Sequence, residues 1–370
     1  MNARTAGHLA MDVLWEPEST AIGWLQGLGD WLAHPLVAVT QLGSQFVLIP
    51  LTALVFWCVN PGFGARLFVA LAASGVLNYL GKAVFYGARP YWYSAHVTAY
   101  ASGSSFGIPS GHAQASTVFW GYLGFRSGRC ARLWAALALI AAVCVSRIYL
   151  GVHFFSDVLA GLLVGGAVLW AALRWEDRLV AWWLGLDTVR WVGCALAVSV
   201  VPCLVAALWQ ALAMGDWSVP ADWIGSTPTD PAGHTLAGLF TVAGGLLGAL
   251  VGFTLLARRG WYSAEGSLSA RAARFVLGLS GIVVVQVVVH LLAGGLTGLA
   301  EAVVMFAAYA GVALWAAFGA PEMFIRSGLA HRPGEGARDA AGGAGEGGGT
   351  PRAGGPGGLP GDVHARDDGK

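Results

Sequence analysis

The chain has 370 residues, of which 56% are hydrophobic and only 11% charged, with a formal net charge of +1 and a mean hydropathy of +0.63. Soluble domains average roughly 25% charged residues, so this composition excludes a chain that is disordered as a whole. It also lacks the basic excess of a nucleic-acid binder, which leaves an all-α, polytopic membrane bundle as the reading.

In chain order, residues 1–37 come first, as a polar N-terminus leading into an amphipathic helix. Trp24, Leu25, Leu28, Trp31 and Leu32 recur at helical spacing over residues 20–33, which predicts a helix lying in the membrane interface. A spanning helix needs about 20 mostly apolar residues. Nine segments approach that length: 38–59, 66–86, 110–126, 133–150, 154–173, 191–213, 235–257, 275–296 and 299–319. Pro50 and Pro202 fall inside two of them, where neighbouring helices can satisfy the freed backbone. From residue 327 to residue 370 the composition turns to Gly, Ala and Pro, which predicts a disordered cytoplasmic tail.

Arginine placement sets the orientation. Alternate loops hold Arg66; Arg126, Arg129 and Arg132; Arg174, Arg178 and Arg190; Arg258, Arg259, Arg271 and Arg274; and Arg326. Those loops are expected on the cytoplasmic side, with the N-terminus outside and the C-terminus inside. Ala-, Gly- and Arg-rich usage with few lysines points to a GC-rich bacterial source and so to the cytoplasmic (inner) membrane. The five cysteines form no CxxC or Cys/His cluster, so they read as small buried apolar residues and neither a disulfide framework nor a metal site is expected.

Three cations break the orientation rule: Lys82, Arg89 and Arg147. They fall in three polar blocks, Lys82 to Pro90, Pro109-Ser110-Gly111-His112, and Ser146-Arg147 to His153 and Asp157. On the deduced topology all three blocks reach the outer face. Three fixed positive charges suit a phosphate, whose oxygens Arg binds in bidentate fashion. Ser110 and Gly111 open a helix whose N–H groups favour an anion. His153 and Asp157 stand four residues apart, on one helix face. A carboxylate on one imidazole nitrogen fixes the tautomer and frees the other as a nucleophile. His112, from another span, can protonate the leaving oxygen. The set reads as in-line phosphoryl transfer through a phosphohistidine. Asn78, one turn before Lys82, is placed to orient it.

The blocks match KxxxxxxRP, PSGH and SRxxxxxHxxxD at all eleven specified positions. They resemble the type 2 phosphatidic acid phosphatase (PAP2) superfamily, which includes bacterial acid phosphatases, glucose-6-phosphatase and vanadium haloperoxidases. The resemblance covers roughly residues 40–175. It implies a helical catalytic core, with His153 as nucleophile, Asp157 orienting it and His112 as general acid. Lys82, Arg89, Arg147, Ser110 and Gly111 would bind the phosphate, with no metal ion and no cofactor. Residues 191–319 add about four spans of unassigned role.

The function expected is hydrolysis of a lipid phosphate or pyrophosphate outside the cytoplasm, in contact with membrane lipids and with no nucleic-acid partner. A homo-oligomer is left open. Two alternatives stand beside it: a phosphotransferase that passes the group to a lipid or sugar hydroxyl, and a lipid or phosphate transporter. Transport alone gives no reason for the two histidines and Asp157. Three further details have structural readings. Tyr91, Trp92 and Tyr93 suit an interfacial aromatic belt. Gly233-His234 is a chance echo of Gly111-His112. His290 and Glu301 are placed to share a structural hydrogen bond.

Overall fold

Asn60, Asp187 and Asp230 set the starts of three long helices. Each side chain accepts a hydrogen bond from the N–H three residues on, at Phe63 (3.0 Å), Arg190 (3.0 Å) and Gly233 (2.7 Å). Pro61 and Pro231 occupy first helical positions, where a missing N–H costs nothing. Gly233-His234 is thereby part of an ordinary helix start. The computed structural model describes residues 3–333 apart from 222, 224, 225, 294, 295 and 297. Side chains are described from residue 13 onward, apart from those of 290, 292 and 293. The pairing expected of His290, and the tail from residue 334, lie outside the described residues.

Every regular element among the described residues is helical. The order is α1 (Ala3–Gln26), a 3-10 turn (Asp30–Leu32), α2 (Ala33–Gln41), α3 (Gln45–Cys58), α4 (Pro61–Phe85), α5 (Pro90–Tyr93), α6 (Gly111–Arg126), α7 (Cys130–Tyr149) and α8 (Phe155–Leu184). There follow α9 (Thr188–Ala213), α10 (Pro231–Arg258), α11 (Leu268–Ala293), α12 (Gly298–Leu314), a π-turn (Trp315–Gly319) and α13 (Ala320–Arg326). The outer surface is strongly apolar: Phe46, Val189, Leu212 and Leu291 are each at least 75% exposed. Such a surface suits lipid. Of the free cysteines, Cys58, Cys144 and Cys203 are buried as expected, Cys194 is half-buried and Cys130 is exposed.

Eight stretches among the described residues are long and apolar enough to cross a membrane, against the nine expected. The difference is α6. Its 16 residues span about 24 Å at 1.5 Å per residue, short of a hydrocarbon core of about 30 Å. It buries polar Gln114, Ser116 and Thr117 along with its apolar residues. Packed against α4, α7 and α8, it is enclosed by protein and need not match the lipid. The segment expected over 38–59 is also divided, into α2 and α3 with a break at 42–44. Gly43 lies against Ser116 and Val143 there, and a Cβ would come within 2.7 Å of both side chains.

The N-terminal expectation needs correction as well. A helix over 20–33 is replaced by α1, which begins at Ala3 and stops at Gln26. Gly29, at φ +126°, turns the chain, a conformation glycine adopts without steric cost. Trp24, Leu28 and Trp31 remain exposed, so the apolar stripe survives across the break.

The bundle has two chemically distinct ends. At one, Glu176 of α8 accepts hydrogen bonds from Arg66 (3.2 Å) and Tyr122 (2.6 Å) and pairs with Arg126. This gathers the start of α4, the end of α6 and the far part of α8. The other ends of the same helices carry Lys82, His112 and Asp157. Asp157 and Glu176 are separated by about 28 Å of helix, close to the hydrocarbon thickness. Gly161 and Gly165 bring α8 tight against α6: a Cβ would meet the carbonyl oxygens of Ser110 and Gln114 at 2.6 and 2.7 Å. Small residues at this spacing allow such approach. Farther along, Gly244 and Gly248 let α10 lie against the backbone of α12 at Phe306 and Ala310.

Candidate active site

Three chain segments bring the predicted residues together. Lys82 sits in the last turn of α4, and Arg89 caps the short α5. Ser110 is the N-cap of α6, so Gly111 and His112 form its first turn. Arg147 lies in the last turn of α7, and His153 belongs to the five-residue connection, 150–154, that leads to α8. Gly151 in that connection has φ +72°, and a Cβ there would strike the Thr98 carbonyl oxygen at 2.5 Å. Glycine is therefore required two residues before the histidine.

His153 is buried, with Nδ1 3.2 Å from Oδ2 of Asp157. The same oxygen accepts the N–H of Phe154 at 3.0 Å. Asp157, in the first turn of α8, thus both accepts the N–H of the N-cap residue Phe154 and partners the imidazole. With Nδ1–H donating to the carboxylate, Nε2 carries the lone pair. Nε2 faces Nη1 of Arg89 at 3.4 Å. Burial, then the positive charges of Arg89, Arg147 and Lys82, hold the His153 imidazole well below its ordinary pKa. The charge of His112 also reaches it. The side chain is therefore neutral at neutral pH.

The cations are held by backbone and hydroxyl oxygens. Arg89 donates from Nε to the Ser105 carbonyl (2.8 Å) and from Nη1 to the Val152 carbonyl (3.0 Å). Lys82 donates to the carbonyls of Phe106 and, at 3.3 Å, Gly107. Arg147 donates from Nη1 to the hydroxyl of Thr40 at 2.9 Å. Its Nε, like Oγ of Ser110, is buried with no hydrogen-bond partner among the described residues. Buried donors normally find acceptors. Two such donors beside a histidine ringed by cations fit an anionic ligand.

Several supporting residues carry no motif signal. Asn78 does not bond Lys82. Its Nδ2 donates to the Pro109 carbonyl (3.1 Å) and to Gln114 Oε1 (2.8 Å), and Gln114 in turn donates to Ser74. It holds the loop that precedes α6. From α1, Trp15 stacks on Phe154 with ring centroids 5.6 Å apart, and Glu18 accepts from the N–H and hydroxyl of Ser156. Tyr91 and Trp92 are buried rather than belted at the interface. The Tyr91 hydroxyl donates to the Gly103 carbonyl at 3.0 Å, and the Arg89 guanidinium lies 5.5 Å from the Trp92 ring centroid. Their apolar bodies wall the site from the side.

The family model "PAP2 superfamily" matches residues 63–181, and the model "PAP2 superfamily phosphatase, transmembrane extension" matches residues 240–332. The chain is 25% identical over 162 residues to phosphatidylglycerophosphatase B of Bacillus subtilis, covering 40% of this chain and 77% of that protein. It is 27% identical over 175 residues to the putative undecaprenyl-diphosphatase YbjG of Escherichia coli, covering 43% and 82%. It is 30% identical over 169 residues to the glucose-6-phosphatase catalytic subunit 1 of Rattus norvegicus, covering 38% and 46%, so it spans about half the length of that relative. The first model encloses the Lys82, His112 and His153 blocks, and the second covers most of the helices that follow α9. The chain belongs to the PAP2 superfamily of phosphatases, in the form that carries a transmembrane extension.

Proposed function

We propose that this protein hydrolyses a lipid phosphate or pyrophosphate at the extracytoplasmic face, through a phosphohistidine at His153 and without a metal ion. The observation that carries the reading is the line Asp157 Oδ2, His153 and Arg89, with spacings of 3.2 and 3.4 Å. It presents a neutral imidazole nitrogen directly to a guanidinium that can hold a phosphate.

Nε2 of His153 attacks phosphorus in line with the bond to the leaving oxygen. As the N–P bond forms and the P–O bond breaks, His112 gives its proton to the departing oxygen. Lys82, Arg89 and Arg147, with the Ser110 hydroxyl and the first N–H groups of α6, hold the equatorial oxygens. Asp157 stabilises the positive charge that develops on the imidazole. Water then attacks the phosphohistidine, its proton passes to His112, and inorganic phosphate leaves. Fixed charge and orientation supply most of the rate enhancement.

Two considerations support the substrate class and the orientation. The site lies at one end of helices whose sides face lipid, so an ester anchored in the membrane reaches it without leaving the bilayer. The Arg66, Arg126 and Glu176 end belongs to the arginine-rich loops, which are cytoplasmic under the positive-inside rule. His153 is then extracytoplasmic and the C-terminus cytoplasmic, in the cytoplasmic membrane of a bacterium. Residues 38–175 form the catalytic core of this proposal.

The test is phosphate release by purified protein across phosphatidic acid, phosphatidylglycerophosphate, a polyprenyl diphosphate and a sphingoid-base phosphate. Release from one of these, absent in His153→Ala, is the expected result. A new phosphate ester in place of free phosphate would assign a phosphotransferase.

A further inference from the structure

Phe106 belongs to none of the three sequence motifs, yet its carbonyl oxygen holds two of the three cations. Lys82 Nζ donates to it, and Arg89 Nη2 donates to it at 3.4 Å. What fixes Phe106 comes from far along the chain. Its N–H donates to Oγ1 of Thr235, in the first turns of α10, at 3.3 Å. The Thr235 hydroxyl uses its own hydrogen on the Pro231 carbonyl at 2.8 Å. A threonine within a helix commonly makes that local bond. The bond from Phe106 is additional, and it crosses 129 residues of sequence.

The ring of Phe106 is fixed from the same side. Trp217, in the connection between α9 and α10, meets it edge-on with centroids 5.4 Å apart. Trp217 also meets Tyr86 edge-on at 5.1 Å, and Tyr86 lies 4.4 Å from Phe106. Tyr86 ends α4 just beyond Lys82. Phe106 and Thr235 are both almost fully buried, so neither contact is exchanged for water.

We propose that Thr235 and Trp217 are positioning residues for the phosphate-binding cations, acting through Phe106. The inference rests on the phosphatase reading and deepens it, by giving the helices beyond the core a part in substrate binding. Both residues fall between the stretches matched by the two family models, 63–181 and 240–332. The device is thus a feature of this chain's α9–α10 region rather than of the matched core. Removal of the Thr235 oxygen frees the Phe106 N–H and loosens the carbonyl that sets the spacing of Lys82 and Arg89. Removal of the Trp217 ring frees the Phe106 side chain in the same way.

The experiment uses the full chain in detergent and reads vanadate binding by the rise in melting temperature, which needs no turnover, beside KM and kcat on a lipid phosphate that the wild type hydrolyses. Thr235→Val and Trp217→Leu are compared with Thr235→Ser, which restores the oxygen. Thr241→Val serves as control. It removes a hydroxyl from the same helix, one bonded to the Ala237 carbonyl. Loss of one buried hydrogen bond is expected to weaken vanadate binding and raise KM by about fivefold, with a smaller change in kcat. Thr235→Ser should return both to wild type, and Thr241→Val should leave both unchanged. Wild-type vanadate binding in Thr235→Val and Trp217→Leu overturns the inference, as does equal weakening in Thr241→Val. Lack of rescue by serine also overturns it. A wild type that binds vanadate but releases no phosphate defeats the phosphatase reading alone, and the binding comparison still decides the role of Thr235.

Discussion

One oxygen of Asp157, Oδ2, holds the Nδ1 of His153 at 3.2 Å while accepting the N–H of Phe154 at 3.0 Å. The carboxylate therefore starts α8 and aims the imidazole with the same atom. Any movement of the helix end moves His153, which ties the geometry of the candidate site to the packing of the bundle.

Asp157→Asn separates these two duties. An amide oxygen can still accept the Phe154 N–H, so the helix start is kept. The amide cannot stabilise an imidazolium as a carboxylate does. The expected outcome is a fall in kcat of roughly 10²–10⁴ with the melting temperature close to wild type. Wild-type kcat in this variant would remove Asp157 from the mechanism.

The pH dependence follows from His153. Burial and its cationic neighbours depress the pKa, and only the neutral ring is a nucleophile. The acid limb of kcat/KM should therefore lie below the ordinary histidine value of about 6.5. Arg147→Gln removes one of the depressing charges, so its acid limb should move to higher pH. The sign for stability is the same. Below about 6.5 the unfolded chain takes up a proton that the folded chain refuses. Stability is therefore full above that pH and declines as the pH falls. A pH–rate profile and melting curves between pH 5 and 8 check both statements.

Arg89→Lys distinguishes a positioned fork from simple charge. Arg89 donates from three nitrogens, to Ser105, Val152 and Phe106. A lysine keeps the charge but cannot fill that planar set. Loss of charge-assisted bonds of this kind predicts a fall in kcat/KM of roughly ten- to a hundredfold. Phosphate release by the lysine variant at the wild-type rate would show that charge alone suffices.

Trp15→Ala tests how far α1 supports the site. Trp15 is buried, stacked on Phe154 and edge-on to Tyr93 and Trp223. Truncating a buried tryptophan costs about 3–5 kcal/mol, so a clear drop in melting temperature is expected. Activity should fall with it, since Phe154 directly follows His153. An unchanged melting temperature would make α1 dispensable.

The residues of the site were legible because charge is scarce in this chain. Lys82, Arg89 and Arg147 stood out against the arginine pattern of the loops, and His153 and Asp157 lay at helical spacing. What holds them was not legible. The carbonyls of Ser105, Phe106 and Gly107 belong to a connection without periodicity, and a backbone acceptor has no sequence signature. Thr40, Gln114 and Thr235 are polar residues in largely apolar helices that carry other polar residues too, and nothing local separates a site residue from a structural one. α6 falls outside the usual length and hydropathy of a span because its 16 residues bury polar Gln114, Ser116 and Thr117 against protein, although it runs from the His112 end of the bundle to the Arg126 end. The spacing of Asn78 from Lys82 along one helix carries no information about the loop at Pro109 that Asn78 bonds.

The central claim is that His153 becomes covalently phosphorylated. The most direct measurement is to quench the full-length protein in alkali during turnover of a radiolabelled lipid phosphate and locate the label by peptide mapping. An alkali-stable, acid-labile phosphoryl group is expected on the peptide containing His153, absent in His153→Ala, and undiminished when EDTA is present throughout. Turnover by His153→Ala at the wild-type rate, or label trapped on any other residue, would contradict the claim.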